Sequence, residues 1–221
     1  MGRPQARFQQ LKLPKQQLMP IIRIIRKRRL PTMAFPDLQQ ASYIGIDLGD
    51  YLADSQVGKV GLHKDCYHAI RIWVEASLKD RNKGEVPEVG GFILGQYTQD
   101  PQTSMYSISL DQFVPSQQVA YSSNTYIDFG MQAMLELEAA QGRFPHLKLV
   151  GWFHTHPGHT PYLSVTDLKT HHGFFRKPYQ VAIVLDCLTQ GFDTGIFSWR
   201  TDGHVNNYAS FSSWILWKEL Q

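Results

Sequence analysis

The sequence predicts an α/β fold, a mixed, curved sheet with helices packed on it. Three observations predict it. Apolar runs of strand length and stretches of helical spacing alternate irregularly, which fits neither a regular βαβ repeat nor an all-β pattern. The 221 residues are 43% hydrophobic and 12% aromatic, enough for one domain with a substantial core. There are no internal repeats, and no apolar run approaches the roughly 18 residues that a membrane span needs.

The elements follow in order. One or two strands lie between Ser42 and Val60. A first helix runs from about His63 to Asn82, because Cys66, Tyr67, Ile70, Trp73, Val74 and Leu78 recur at helical spacing. An Asn-Lys-Gly turn leads into a short buried strand at 88–95, where Gly90 and Gly91 permit close backbone approach. Tyr106 to Val114 reads as one strand with alternating apolar positions, and Pro115 to Asp128 as a polar loop rich in Ser, Gln and Tyr. A second helix spans Phe129 to Gly142, capped by that glycine and stopped by Pro145. Leu147 to Phe153 is a buried strand, Ser164 opens a third helix, and a strand at 180–187 follows. Gly195–Arg200 and Val205–Phe211 pair as a hairpin, and Ser213–Leu220 forms a short helix.

The chemistry is concentrated after the strand at 147–153, in His154-Thr-His156-Pro-Gly and Ser164-Val-Thr-Asp167. On a strand, residues i and i+2 share a face, so His154 and His156 present two imidazoles side by side while Thr155 points away. Pro157 and Gly158 end the strand, and the helix opened by Ser164 brings a carboxylate back towards the pair. Ser164 and Asp167 also read as an ordinary N-cap and first-turn acid. The two roles are compatible, because capping fixes where Asp167 points. Two imidazoles and one carboxylate leave a zinc ion one open position, the arrangement of a catalytic rather than a structural zinc. A zinc hydrolase also needs a general base near the attacking water. Glu88 is the best candidate, although a carboxylate heading an apolar strand is also an ordinary solvated end residue.

Together, Glu88-Val-Gly-Gly-Phe-Ile-Leu-Gly95, His154-Thr-His156-Pro-Gly158 and Ser164-Val-Thr-Asp167 resemble the JAMM (MPN-plus, JAB-domain) zinc metalloprotease family. The likeness runs from about residue 60 to 200. Deubiquitinases, deneddylases and bacterial peptidases specific for ubiquitin-like proteins are the most similar members. The resemblance implies a single catalytic domain of MPN type at 37–205, completed by 206–221. It implies that His154, His156 and Asp167 bind one zinc ion per chain. Glu88 would take a proton from the water and pass it to the leaving amine, and Ser164 would donate a hydrogen bond to the oxyanion. The implied substrate is a ubiquitin-like protein or its conjugate, cleaved after the C-terminal tail. Two other readings stay open: hydrolysis of another C-terminal amide, on a sulfur carrier or a small peptide conjugate, and a non-catalytic scaffold. The intact ligand set and Glu88 count against the scaffold. The loop at 115–128 sits where the family keeps a mobile insertion, and is expected to close over an extended tail.

The chain departs from the family pattern between Gly158 and Ser164, where Pro161 and Tyr162 stand at the places of a Cys and a Trp. The floor of the substrate groove is expected to differ there. Residues 187–205 are too short, and too poor in Cys and His, to hold the second, structural zinc of some relatives. Among the other histidines, His171 lies one helical turn after Asp167 on the same side, at a position the family does not use for metal. His159 and His172 read as solvated or as lining the groove. His63 and His68 in the first helix, with His146 and His204, read as structural.

Charge is unevenly spread. Residues 1–36 hold nine of the 22 lysines and arginines and none of the 19 acids, so the net +3 averages a basic arm over a mildly acidic remainder. This arm cannot bury a core of its own and reads as a flexible segment with room for a partner of its own: nucleic acid, anionic lipid or an acidic protein. A targeting presequence, and a start at Met33, are the alternatives for it. Nothing else in the chain reads as nucleic-acid recognition. Cys66 and Cys187 lack metal spacing and read as buried thiols. With no apolar leader in view, they point to a reducing, cytoplasmic setting.

Overall fold

The computed structural model of the chain describes residues 34–48, 54–79, 86–116, 119–123, 126–189 and 192–205. The basic arm up to residue 33, the segment 206–221 with its expected helix, and the end of the expected first helix lie outside the described residues. β1 (Tyr43–Asp47) and β2 (Val57–His63) lead into α1 (Lys64–Leu78). Then come β3 (Gly90–Gly95), β4 (Tyr97–Gln99), β5 (Tyr106–Leu110), β6 (Gln112–Pro115), β7 (Val119–Ser123) and β8 (Tyr126–Phe129). α2 (Met131–Arg143), β9 (Lys148–Thr155), α3 (Val165–Phe174), β10 (Val181–Leu185) and β11 (Thr194–Ser198) complete the order.

Among the described residues the strands form sheets ordered β1-β2-β5-β4, β11-β10-β9-β3-β6 and β7-β8. The β2–β5 and β9–β10 pairs are parallel and the rest antiparallel, so the expected mixed α/β class holds. The five-stranded sheet is buried on both faces. Val181, Ile183 and Leu185 of β10 join one apolar cluster with Val60, Cys66, Ile70 and Ile108, from the other large sheet and α1. Ala182 and Val184 join a second cluster with Ala133 and Leu137 of α2 and with Phe175, which caps α3. This is the period-two alternation of a strand, read against two partners instead of one partner and water. Trp152 of β9 belongs to the second cluster, so His154, two residues on, is carried to the α3 side of the sheet.

Several expected boundaries move. The strand expected at 106–114 is two strands in different sheets: β5 pairs with β2, and β6 with β3. The chain changes sheet at Asp111, whose carboxylate accepts from Tyr43 Oη and Ser109 Oγ, each at 2.6 Å. The apolar alternation of Tyr106, Ile108 and Leu110 lapses at the polar pair Asp111-Gln112 and resumes out of phase at Phe113, which marks the crossing that the single expected strand passed over. The polar loop expected at 115–128 contains the β7–β8 hairpin, held by backbone pairing that needs no apolar face. β4 was not foreseen; it is a three-residue exposed edge strand without an apolar pattern. His63 caps α1 instead of lying in it, its Nδ1 accepting from Asp65 N at 3.2 Å. Gly142 lies inside α2, which ends at Arg143 with Phe144 as its C-cap, and Phe129 belongs to β8. β9 runs on through Thr155, whereas β3 begins at Gly90, two residues after Glu88.

Candidate metal centre

The centre is built where the end of β9 meets the start of α3. His154 lies in β9, and His156 just beyond it, where its backbone N–H donates to Leu185 O at 2.8 Å and prolongs the β9–β10 ladder. Pro157 and Gly158 then turn the chain, with Gly158 at φ 78°, a conformation that glycine adopts without steric cost. The carboxylate of Asp186 holds this turn by accepting from Gly158 N at 2.9 Å and Leu188 N at 3.0 Å. Ser164 is the N-cap of α3. Its Oγ accepts from Asp167 N at 3.1 Å, while Asp167 Oδ2 accepts from Ser164 N at 2.7 Å. This reciprocal capping box locks both the helix start and the Asp167 side chain.

The structure brings the three expected donors together. His154 Nε2 and His156 Nε2 are 3.0 Å apart, His154 Nε2 lies 3.3 Å from Asp167 Oδ1, and His156 Nε2 lies 3.4 Å from Asp167 Oδ2. All three residues are buried, and they form the one cluster of potential metal ligands among the described residues. Tetrahedral ligands at about 2.0–2.2 Å from a zinc ion are separated from each other by about 3.3–3.6 Å. The two His–Asp spacings fall in that range, the His–His spacing is slightly shorter, and imidazole nitrogen with carboxylate oxygen suits such a cation.

The electrostatics agree. Burial lowers the His156 imidazole below its usual value, partly offset by Asp167, so its lone pair is free to bind metal. Burial alone would raise the Asp167 carboxyl. The neighbouring His154, His156 and Ser164 outweigh that and hold it well below the usual carboxylate range. Glu88 is 1% exposed, and neither of its carboxylate oxygens has a hydrogen-bond partner among the described residues. Burial, with the Asp167 charge adding to it, pushes its carboxyl up to about 8. Its Oε1 is 3.8 Å from His156 Nε2. An unpaired buried carboxylate is costly, and a cation among the three donors would relieve that cost.

Sequence reasoning missed the part played by Thr155. It points away from the histidines as expected, and there its Oγ1 accepts from Val89 N at 2.9 Å while its own N–H donates to Val89 O at 2.9 Å. The residue between the two histidines thus ties down the segment that carries Glu88. Strand alternation placed Thr155 on that side, but nothing local identified the partner. Gly91 serves the same register, because a Cβ there would strike Val114 O on β6. His171 is buried near the centre without joining the donor cluster: its Nδ1 accepts from Trp152 Nε1 at 3.0 Å. Tyr162 is 39% exposed and stands edge-on to His156, with ring centroids 4.8 Å apart.

A buried His-His-carboxylate cluster at a strand end, roofed by a capped helix and faced by a second carboxylate, has the donors to hold a divalent cation beside a carboxylate that can take up a proton. Residues 55–177, more than half of the chain, match the family described as JAB1/Mov34/MPN/PAD-1 ubiquitin protease, and the chain belongs to that family. It is 30% identical to the 26S proteasome non-ATPase regulatory subunit 14 of Caenorhabditis elegans over 65% of its own length and 45% of that protein. It is 36% identical to the human AMSH-like protease over 54% of its length and 25% of that protein. Likeness to the 26S proteasome regulatory subunit rpn11 of Schizosaccharomyces pombe is 29%, over 56% of this chain and 39% of the other. The chain thus spans less than half of the length of these relatives. Among the described residues, no helix is long and apolar enough to cross a membrane.

Proposed function

We infer that this chain is a zinc-dependent isopeptidase or peptidase that cleaves after the C-terminal tail of a ubiquitin-like protein. One zinc ion per chain is held by His154, His156 and Asp167, within a catalytic domain at 37–205. The observation that carries the reading is the convergence of those donors to 3.0–3.4 Å, with Glu88 facing them. Membership of a family described as a ubiquitin protease supports the substrate class.

When bound, zinc supplies Lewis acidity, which makes hydroxide available near neutral pH and polarises the carbonyl under attack. Glu88 accepts the proton of the attacking water and returns it to the leaving amine. Burial and the Asp167 charge push the Glu88 carboxyl up to about 8, near the range in which both transfers are efficient. Ser164 Oγ accepts from Asp167 N, and its hydroxyl proton is the proposed donor to the oxyanion. The half-exposed Tyr162 forms part of the groove wall beside His156.

A panel of fusions in which different ubiquitin-like tails precede a reporter protein tests the reading. The wild-type chain loaded with zinc cleaves at least one fusion at the end of the tail, and Glu88→Gln binds zinc normally but turns over at least about 100-fold more slowly. Equal turnover by the two proteins, or cleavage of none of the fusions, would remove the proposal.

A further inference from the structure

We propose that Trp152 and His171 are a positioning pair that sets the ring plane of His154 from behind and so pre-organises the donor cluster. The inference rests on the reading of His154 as a metal ligand.

A histidine that binds metal through one ring nitrogen usually donates the other N–H to a carboxylate, carbonyl or water, which fixes its orientation. Among the described residues no protein group plays that part for His154, whose Nδ1 is buried without a hydrogen-bond partner there. Trp152 supplies the alternative. The indole lies flat on the His154 imidazole, with centroids 4.5 Å apart and planes 7° apart, and is itself fully buried. Rotation of the imidazole about its Cβ–Cγ bond would drive its edge into the indole face.

The indole plane is fixed in turn. Phe175 stacks at 5.6 Å and Phe129 meets it edge-on at 5.7 Å. Its only polar atom, Nε1, donates to His171 Nδ1 at 3.0 Å. An indole N–H can only donate, so His171 is a neutral imidazole protonated at Nε2. That Nε2 has no hydrogen-bond partner among the described residues, and His171 is fully buried beside Trp199, at 5.1 Å between centroids. A leucine would fill this apolar site with no polar atom of its own, but it would leave Trp152 Nε1 without an acceptor. What histidine adds there is the acceptor for Trp152.

Spacing explains why the two pairs coexist. Two strand residues advance about 6.6 Å and four helix residues about 6 Å. Trp152 and His154 on β9 therefore keep step with His171 and Asp167 on α3. One rung is His154–Asp167 at 3.3 Å, and the other is Trp152–His171 at 3.0 Å.

The test uses the full chain, with His171→Leu removing the acceptor, His171→Asn restoring one near the Nδ1 position, and Trp152→Phe removing the donor while keeping an aromatic face. Zinc affinity is measured by competition with a chromophoric chelator, His154 ring-proton shifts by NMR on metal-free protein, and folding by urea titration. His171→Leu and Trp152→Phe are expected to fold yet bind zinc about 10–100-fold more weakly, with His171→Asn within about threefold of wild type. The wild-type His154 ring protons are expected to be displaced upfield by the indole face, and to lose that displacement in His171→Leu but not in His171→Asn. A merely structural role would lower the urea midpoint and leave zinc affinity and ring shifts unchanged, which would overturn the proposal. If His171→Leu fails to fold, Trp152→Phe carries the affinity test and His171→Asn the ring shifts. A wild-type chain that takes up no zinc defeats the metal reading by itself, and the metal-free ring shifts still decide whether the pair orients His154.

Discussion

Ser164 illustrates how one side chain can carry two loads. Its Oγ accepts from Asp167 N, and the proposed chemistry uses its hydroxyl proton as a donor. The two roles separate by magnitude. Loss of an N-cap costs about 1 kcal/mol of stability, whereas loss of an oxyanion donor costs about 10²–10³ in kcat. Ser164→Ala is therefore expected to lower the unfolding free energy by about 1 kcal/mol and kcat at least about 100-fold, with Ser164→Thr restoring much of both. A drop in kcat smaller than about tenfold, measured on a zinc-loaded variant, would leave Ser164 only its capping role. Residues of this kind were legible beforehand because their signals are local: His154 and His156 from strand alternation, Ser164 and Asp167 from the capping pattern. Thr155 and Asp186 were not, since each acts on a segment distant in sequence, Val89 in one case and the turn at Gly158 in the other.

Among the elements, helices and buried strands were read to within a few residues, because burial imposes a period that the sequence displays. The exceptions share a cause. β4, β7 and β8 are held by backbone pairing with little or no apolar pattern, and the β5–β6 break shows only as the polar pair Asp111-Gln112 between two apolar runs. The hairpin carries the next prediction. Among the described residues, β7 and β8 pair only with each other, and a lone two-stranded hairpin is marginally stable in water. β6 is an edge of the five-stranded sheet, to which an extended tail can add as a strand. A non-hydrolysable ubiquitin-like substrate is expected to protect residues 115–128 from limited proteolysis. Cleavage there at an unchanged rate would rule out closure of the hairpin over the tail.

For the molecule as a whole, the sheet that carries the centre is covered on both faces, and the donor residues are buried with it. One apolar cluster packs below β9, the other above it, and His154 emerges at the edge of the second, under α3. Water exclusion strengthens every charge interaction there, which is why Asp167 and Glu88 diverge so far from one another although both are buried carboxyls. The class of fold was visible in the irregular alternation of helices and strands. The division of the strands between two large sheets was not, because pairing between distant segments leaves no trace in local period. All of the proposed chemistry depends on His154, His156 and Asp167 holding one metal ion. Native mass spectrometry of the wild-type chain and of His156→Ala, each refolded with excess zinc and then desalted, tests this most directly. One zinc per wild-type chain and well under one per variant chain is the expected result; a metal-free wild type, or a variant that keeps a full equivalent, would contradict it.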